Sequence, residues 1–304
     1  PRIKNEARRA RAHDELPQSA AGRTIMTTEP KFIPEKAVKI DLSGGGSFKA
    51  RLIDCVGYMV DGALGHEENE APRLVKSPWF DHEVPFDLAA ETGTRCVIRE
   101  HATIGLVVTT DGSVADLPRE AYLDAERRII AELNDSGKPY VILLNCAEPD
   151  SDDARRLATE LAERYAHAVV PLNCTTMTVE TLDSLLQTLL YEFPIREIAV
   201  RMPGWVTMLE SGHWLQSAIY TAMLEFAASV HKMADLAGRR PQLGCEYITS
   251  ASLTGMDLAS GSVGINAVVA PDIFYKILGE QTGLDIVDEA SLLPCVVSLA
   301  RAKR

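Results

Sequence analysis

Short apolar segments alternate with amphipathic helical segments between residues 38 and 193, and this alternation restricts the fold more than any other feature. Strands covered on both faces are predicted at residues 104–109, 140–145 and 168–172. Helices are predicted between and after them at residues 118–134, 151–165 and 178–193. Strands and helices in this order are typical of crossover units, so we predict an α/β sheet with helices on both faces.

The order of the predicted elements changes at Phe193 and Pro194, where proline ends the last helical pattern. Beyond it we expect a strand at 195–200, a long helix at 205–237, a strand at 263–269 and a helix from Pro271. We therefore place a first domain at residues 1–193 and a second, smaller α+β domain at residues 194–304.

Charge and cysteine usage exclude several classes of protein. The formal net charge is -12 and no interior Lys/Arg cluster forms a basic stripe, so we expect no nucleic-acid partner. The six cysteines lie far apart without a CxxC pair, which predicts buried, reduced thiols rather than a zinc site. No apolar stretch approaches the roughly 20 residues that span a bilayer, so we expect a cytoplasmic protein. Because the sequence starts at Pro1 and ends at Arg304 directly after a helical pattern, we expect both termini to be cut from a longer chain.

The strongest local motif is an apolar strand that ends in Asp54 and is followed three residues later by Gly57. Residues 39–42 and 48–53 flank a glycine-rich turn, which predicts a β-hairpin at one side of the sheet. In P-loop NTPases of the GTPase type such an aspartate holds a water of Mg²⁺, and the glycine lets its N–H approach the terminal phosphate. Asp-x-x-Gly also occurs at ordinary turns, so the motif alone does not identify a nucleotide site.

Thr27 and Thr28 lie in a loop-like stretch upstream of this hairpin. Switch threonines occupy such a place because a hydroxyl can coordinate Mg²⁺ while the backbone N–H contacts the terminal phosphate. The alternative is that both are ordinary edge-strand residues. Their order relative to Asp54 favours the switch interpretation.

Asn145 ends a predicted strand at the place where GTPases carry the Asn-Lys-x-Asp motif that binds guanine. The residues that follow are Cys146, Ala147 and Glu148, so the lysine and the aspartate of that motif are missing. We therefore expect Asn145 at a nucleotide but no strong selection for guanine, which argues against a signalling GTPase.

The sequence contains no Gly-x-x-x-x-Gly-Lys-Ser/Thr motif. Residues 44–49 are glycine-rich but lack the final Lys-Ser/Thr pair and lie inside the predicted hairpin. The phosphate-binding loop therefore either precedes Pro1 in a longer protein or has been lost.

Several longer strings carry a more specific signal than Asp-x-x-Gly. They are residues 14–32, 54–58, 78–80, 91–95, 100–105, 109–112, 191–194 and 213–215. These strings, which extend over nearly the whole chain, closely resemble the stage IV sporulation protein A family of spore coat ATPases.

The resemblance implies a P-loop NTPase domain of the GTPase-like, TRAFAC type that is truncated at its N-terminus. It implies Thr27 and Thr28 as sensor threonines and Asp54 as the Mg²⁺-side aspartate, and these three are the expected catalytic residues. ATP and Mg²⁺ are the expected cofactors: Thr28 and Asp54 hold the metal, partly through water, and Gly57 and Asn145 contact the nucleotide. The family's Walker A lysine has no counterpart here.

The resemblance further implies that ATP hydrolysis drives irreversible self-polymerisation into the basement layer of the spore coat. The expected location is the mother-cell cytoplasm, peripheral on the outer forespore membrane. The expected partners are further copies of the protein, a small amphipathic membrane-anchoring peptide and other coat proteins. Because the phosphate-binding segment and the family's C-terminal domain have no counterpart, we expect this chain alone to be inactive.

A scaffold that polymerises without hydrolysing ATP is the competing interpretation. The ATPase interpretation requires the loop of Thr27 and Thr28 to converge with the carboxylate of Asp54 on one metal-bound triphosphate. Positions on opposite sides of the sheet would exclude it.

Overall fold

An antiparallel hairpin and a separate parallel sheet organise the N-terminal half of the computed structural model, which describes residues 30–41, 47–68, 71–258 and 260–302. The chain divides into two units, residues 1–192 and residues 193–304, each with its own internal contacts. Within the described ranges, none of the helices combines the length and the hydropathy that a bilayer span requires.

The hairpin consists of β1 (Lys31–Asp41) and β2 (Ser47–Asp54). Its register pairs Lys31 with Asp54 at the open end and Asp41 with Ser47 next to the turn. The predicted hairpin is therefore confirmed, although β1 begins earlier than residue 39. The glycine-rich turn lies outside the described residues.

A helix that the sequence pattern did not predict follows the hairpin. Four two-residue strands come first: β3 (Glu67–Glu68), β4 (Ala71–Pro72), β5 (Leu74–Val75) and β6 (Val84–Pro85). They lead into α1 (Phe86–Cys96), which continues as a π-helical turn, Val97–His101. Gly93 and two threonines weaken the helical propensity of this segment, so tertiary packing must supply its stability.

The parallel sheet contains β7 (Gly105–Thr110), β8 (Tyr140–Asn145) and β9 (Val169–Leu172) in the order β7-β8-β9. All three strands were predicted. In the register, Thr110 lies opposite Asn145, and Asn145 lies opposite Leu172. The carboxyl ends of the strands therefore meet at one edge of the sheet, which is where open α/β sheets bind ligands.

Helices cover both faces of this sheet, as predicted. The helices are α2 (Leu123–Ser136), preceded by a 3₁₀ turn (Arg119–Tyr122), then α3 (Asp152–Tyr165) and α4 (Val179–Tyr191). Leu133 of α2 and Leu161 of α3 pack with the β8 face of Ile142 and Leu144, whereas α4 packs against the opposite face. The side chains of Ser151 and Thr178 cap α3 and α4 by accepting backbone N–H bonds.

The central strand β8 is covered on both faces, but β7 is not. Leu106 is 40% exposed and Val108 is 59% exposed, although Val107 and Thr109 on the other face are buried. The prediction of a strand covered on both faces is therefore wrong for β7. The reason is its position, because β7 is one of the two edge strands of the described sheet.

The second unit is a three-stranded mixed sheet with helices. Its strands are β10 (Glu197–Arg201), β11 (Ile248–Asp257) and β12 (Ser262–Val269), and its helices are α5 (Gly204–Thr207), α6 (Trp214–Ser229), α7 (Pro271–Thr282) and α8 (Glu289–Ala302). The central strand β12 is parallel to β10 and antiparallel to β11. The single long helix predicted at 205–237 is wrong: Gly212 adopts φ +91°, a left-handed conformation that separates α5 from α6.

Candidate functional site

Asp54 is the last residue of β2 and is only partly exposed around its carboxyl, although the residue as a whole lies at the surface. Partial burial by the surrounding chain raises the pKa of its carboxyl, while the nearby charge of Lys31 opposes that effect. Oxygen ligands of this kind are the ones that Mg²⁺ prefers, directly or through water. The position and chemistry of Asp54 therefore fit a metal-side carboxylate. The described residues contain no group of three or more His, Cys, Asp or Glu side chains that could hold a metal by themselves.

Gly57 adopts φ +83°, a left-handed conformation that favours glycine. Its backbone N–H donates to Oγ1 of Thr94 at 3.1 Å, and the same hydroxyl donates to the carbonyl oxygen of Gly57 at 3.2 Å. Thr94 lies in α1 and is 1% exposed. One buried hydroxyl therefore binds both polar groups of Gly57.

Tyr58 extends this attachment to α2. Its ring is 6% exposed and lies under the guanidinium of Arg128, 4.3 Å from the ring centroid. Arg128 also pairs with Glu91 of α1 at 2.7 Å. The segment that follows Asp54 is therefore held against two helices at once, by a hydrogen-bond pair at Gly57 and a cation–π contact at Tyr58.

Asn145, at the carboxyl end of β8, links two loops. Its side-chain oxygen accepts the backbone N–H of Cys174 at 3.0 Å. In return, Asn173 donates from Nδ2 to the carbonyl oxygen of Ala147 at 3.1 Å. The backbone N–H of Ala147 donates to the hydroxyl of Ser113 at 2.8 Å, which adds the loop after β7. The three loops at the carboxyl ends of the parallel strands are thus connected by polar contacts.

A buried ionic network lies behind the end of β7. Glu126 of α2 accepts hydrogen bonds from the hydroxyls of Thr109 at 2.6 Å and Tyr165 at 2.8 Å, and it pairs with Arg119 at 2.6 Å. Burial works to raise the pKa of the Glu126 carboxyl. The hydrogen bonds from Arg119 and Thr109, together with the charge of Arg119, outweigh burial, so the pKa lies below its ordinary value.

The structure thus places the predicted residues in two separate settings. Asp54 and Gly57 belong to one segment that α1 holds, and Asn145 belongs to the linked loops at the end of β8. Thr27 and Thr28 lie outside the described residues, so their convergence with Asp54 stays a prediction. The sequence reasoning missed Thr94. It lies in a string that resembles the coat ATPase family, residues 91–95, but no local spacing relates it to Gly57.

Comparison with protein families gives a match over the whole chain. Residues 1–194 match the model described as stage IV sporulation protein A, ATPase domain. Residues 195–304 match the model described as stage IV sporulation protein A, middle domain. No solved structure matches the chain.

Three curated relatives share the same name, stage IV sporulation protein A. The protein of Bacillus subtilis (strain 168) is 42% identical over 305 residues, that of Bacillus anthracis 41% over 304, and that of Clostridioides difficile (strain 630) 39% over 304. Each alignment covers 100% of this chain and 62% of the relative. The chain therefore spans less than two thirds of the length of these relatives, and it belongs to the stage IV sporulation protein A family.

Proposed function

We propose that this chain is the switch side and the middle domain of a sporulation ATPase that binds ATP with Mg²⁺ and hydrolyses its terminal phosphoanhydride bond. The observation that carries the proposal is the match of residues 1–194 to the family's ATPase domain. Supporting it, a carboxylate and a left-handed glycine stand in the order Asp54, Gly57 directly after a strand.

Phosphoryl transfer requires positioning and charge neutralisation more than covalent help from the protein. In the proposal, Asp54 holds Mg²⁺ through a water, and the hydroxyl of Thr28 is the second protein ligand. Bound Mg²⁺ would neutralise charge on the phosphates. Thr27 orders its loop when a terminal phosphate is present, Gly57 offers a backbone N–H to that phosphate, and Asn145 keeps the loops at the end of β8 together beside the nucleotide.

The proposal also assigns a place to a phosphate-binding strand and helix of the full-length protein. Among the described residues β7 is one of two edge strands of the parallel sheet; it exposes Leu106 and Val108 on one face, and a parallel strand is normally covered on both. A strand paired with β7, followed by its helix, would cover these two side chains and bring a phosphate-binding loop to the carboxyl end of the sheet. The domain would then be a P-loop NTPase sheet of the GTPase-like, TRAFAC type, and this chain alone would not turn over ATP.

We further propose that ATP turnover drives self-polymerisation of the full-length protein into the basement layer of the spore coat. The name shared by the relatives refers to sporulation, and the finer role is our extension of it. In this proposal the protein works in the mother-cell cytoplasm, peripheral on the outer forespore membrane. Its partners are its own copies, a small amphipathic membrane-anchoring peptide and other coat proteins.

The test is ATP hydrolysis and filament formation by the full-length protein with Asp54→Ala or Thr28→Ala. Asp135→Ala is the matched control, because Asp135 is an exposed carboxylate at the end of α2. We expect both site variants to lose turnover and assembly while the control keeps both. Assembly that persists without turnover would favour the non-hydrolysing scaffold, and unchanged turnover in both site variants would remove the ATPase proposal.

A further inference from the structure

The hydroxyl of Thr94 accepts a hydrogen bond from the Gly57 N–H, and this is the backbone group that would bind the terminal phosphate in the proposed function. Oγ1 of Thr94 lies 3.1 Å from the nitrogen of Gly57 and 3.2 Å from its carbonyl oxygen. Thr94 is 1% exposed, so the bond from the Gly57 N–H is shielded from water on the threonine side. A backbone N–H has one hydrogen to donate, and here Thr94 accepts it.

The Gly57 peptide has freedom to turn away from Thr94. A Cβ placed on Gly57 would meet no heavy atom within 4 Å, so the space next to this residue is open. Glycine populates left-handed and right-handed conformations about equally readily, so either backbone state is accessible at this position. A small rotation of the peptide is therefore available to an incoming ligand.

We propose that Thr94 determines how strongly the site prefers ATP over ADP, because a terminal phosphate must take the Gly57 N–H from the Thr94 hydroxyl. This inference rests on the proposed function. Thr94 acts as a positioning residue: it holds the Gly57 peptide in a nucleotide-free orientation and competes with the one phosphate that ADP lacks. ADP has no terminal phosphate to take the Gly57 N–H from Thr94, so its binding is independent of Thr94.

The experiment compares ATP and ADP affinities of the full-length protein by calorimetry in the presence of Mg²⁺. Thr94→Val removes the hydroxyl but keeps the β-branched shape, whereas Thr94→Ser keeps the hydroxyl. The control is Thr92→Val, which makes the same change two residues earlier in the same helix. Since one hydrogen bond is worth a modest net free energy, we expect Thr94→Val to tighten ATP about 2- to 10-fold and to change ADP less than about twofold. Thr94→Ser and Thr92→Val should keep the wild-type ATP/ADP ratio.

A purely structural role of Thr94 predicts a different result. Misfolding or loosening of the segment would weaken ATP and ADP together and leave their ratio unchanged. An unchanged or lower preference for ATP in Thr94→Val overturns the proposal, as does an equal shift in Thr94→Ser. A wild-type protein that binds neither nucleotide overturns the proposed function itself.

Should Thr94→Val fail to fold, hydrogen exchange in the wild-type protein tests the premise of the proposal, which is that Thr94 binds the Gly57 N–H in the absence of nucleotide. We expect the Gly57 amide to exchange slowly without nucleotide, as a bonded and shielded group does. It should exchange at the same slow rate with ADP. If the Gly57 amide of the nucleotide-free protein exchanges as fast as the amides of an open loop, the proposal is overturned.

Discussion

The guanidinium of Arg119 lies 2.6 Å from the carboxylate of Glu126, and the Glu126 side chain is 1% exposed. Arg119 comes from the 3₁₀ turn before α2 and Glu126 from α2 itself, so the ion pair joins that turn to the helix. Thr109 donates to the same carboxylate, which joins the end of β7 to the pair. This network fixes the loop that contributes Ser113 to the linked loops beside Asn145.

Replacement of Glu126 by glutamine should destabilise the first unit strongly. The change leaves the mostly buried Arg119 next to a neutral amide, and removal of one partner from a buried ion pair costs about 3 kcal/mol. Urea unfolding should show a lower midpoint for Glu126→Gln. The midpoint should be unchanged for Glu120→Gln, because Glu120 is exposed in the 3₁₀ turn that contains Arg119. Equal midpoints for the two variants would contradict a buried, paired carboxylate.

The stability of the first unit should fall in acid because of the same carboxylate. The pKa of Glu126 is lowered by folding, so the unfolded chain takes up a proton at a higher pH than the folded one. Its contribution is therefore complete above the ordinary value of 4.5 and is lost as pH falls through the folded pKa. Between pH 6 and about pH 3, the melting temperature should fall more steeply with decreasing pH in wild type than in Glu126→Gln. Parallel pH profiles would show that other carboxylates dominate.

Asp54→Asn should separate stability from activity. Burial raises the pKa of Asp54, so its stabilising contribution is present at low pH and is lost as pH rises through the folded value. At neutral pH the neutral amide should therefore melt at the same temperature as wild type or higher. ATP hydrolysis by the full-length protein should drop about 10- to 100-fold, as expected for a group that orients a metal ligand.

Asp135→Asn serves as the reference for both measurements on Asp54. It removes a carboxylate of the same type from an exposed place in α2. A loss of melting temperature in Asp54→Asn alone would mean that the ionised carboxylate stabilises the fold, against the direction of its pKa.

Asn145 should act by holding loops together. Asn145→Ala removes the acceptor of the Cys174 N–H, which should cost about 1 kcal/mol and speed hydrogen exchange at Cys174. Asn145→Asp keeps an acceptor oxygen in the same place and should retain slow exchange. If both variants exchange at the same rate, the side chain of Asn145 does not carry the link.

Local patterns were sufficient to predict the parallel sheet. Apolar runs predicted β8 along its whole length, and the helices predicted from residues 151 and 178 start at the caps Ser151 and Thr178. These signals are local, because the apolar pattern of a strand and the cap of a helix involve residues a few positions apart. The helix at 205–237 failed for the same reason, since its apolar spacing continues across Gly212, where the backbone turns.

The contacts that shape the candidate site were beyond such patterns. Thr94 bonds to a residue 37 positions earlier, and Glu126 bonds to Thr109 across 17 positions. Only the packing of α1 and α2 against the preceding segments brings these groups together. The Asp54 and Gly57 motif could be read from sequence, but the engagement of the Gly57 N–H by Thr94 could not.

The apolar side chains on the outer strand β7 have a practical consequence for work on the isolated chain. Leu106 and Val108 are exposed on a strand that has a partner on one side alone within the described residues, and unpaired strand edges promote association with further chains. Concentrated samples of the isolated chain should form particles whose light scattering is the same with and without ATP. Replacement of Val108 by an acidic residue or by lysine should reduce that scattering. Particles of the isolated chain that disappear with this substitution are therefore edge aggregates, and they must be subtracted before any ATP-dependent assembly is measured.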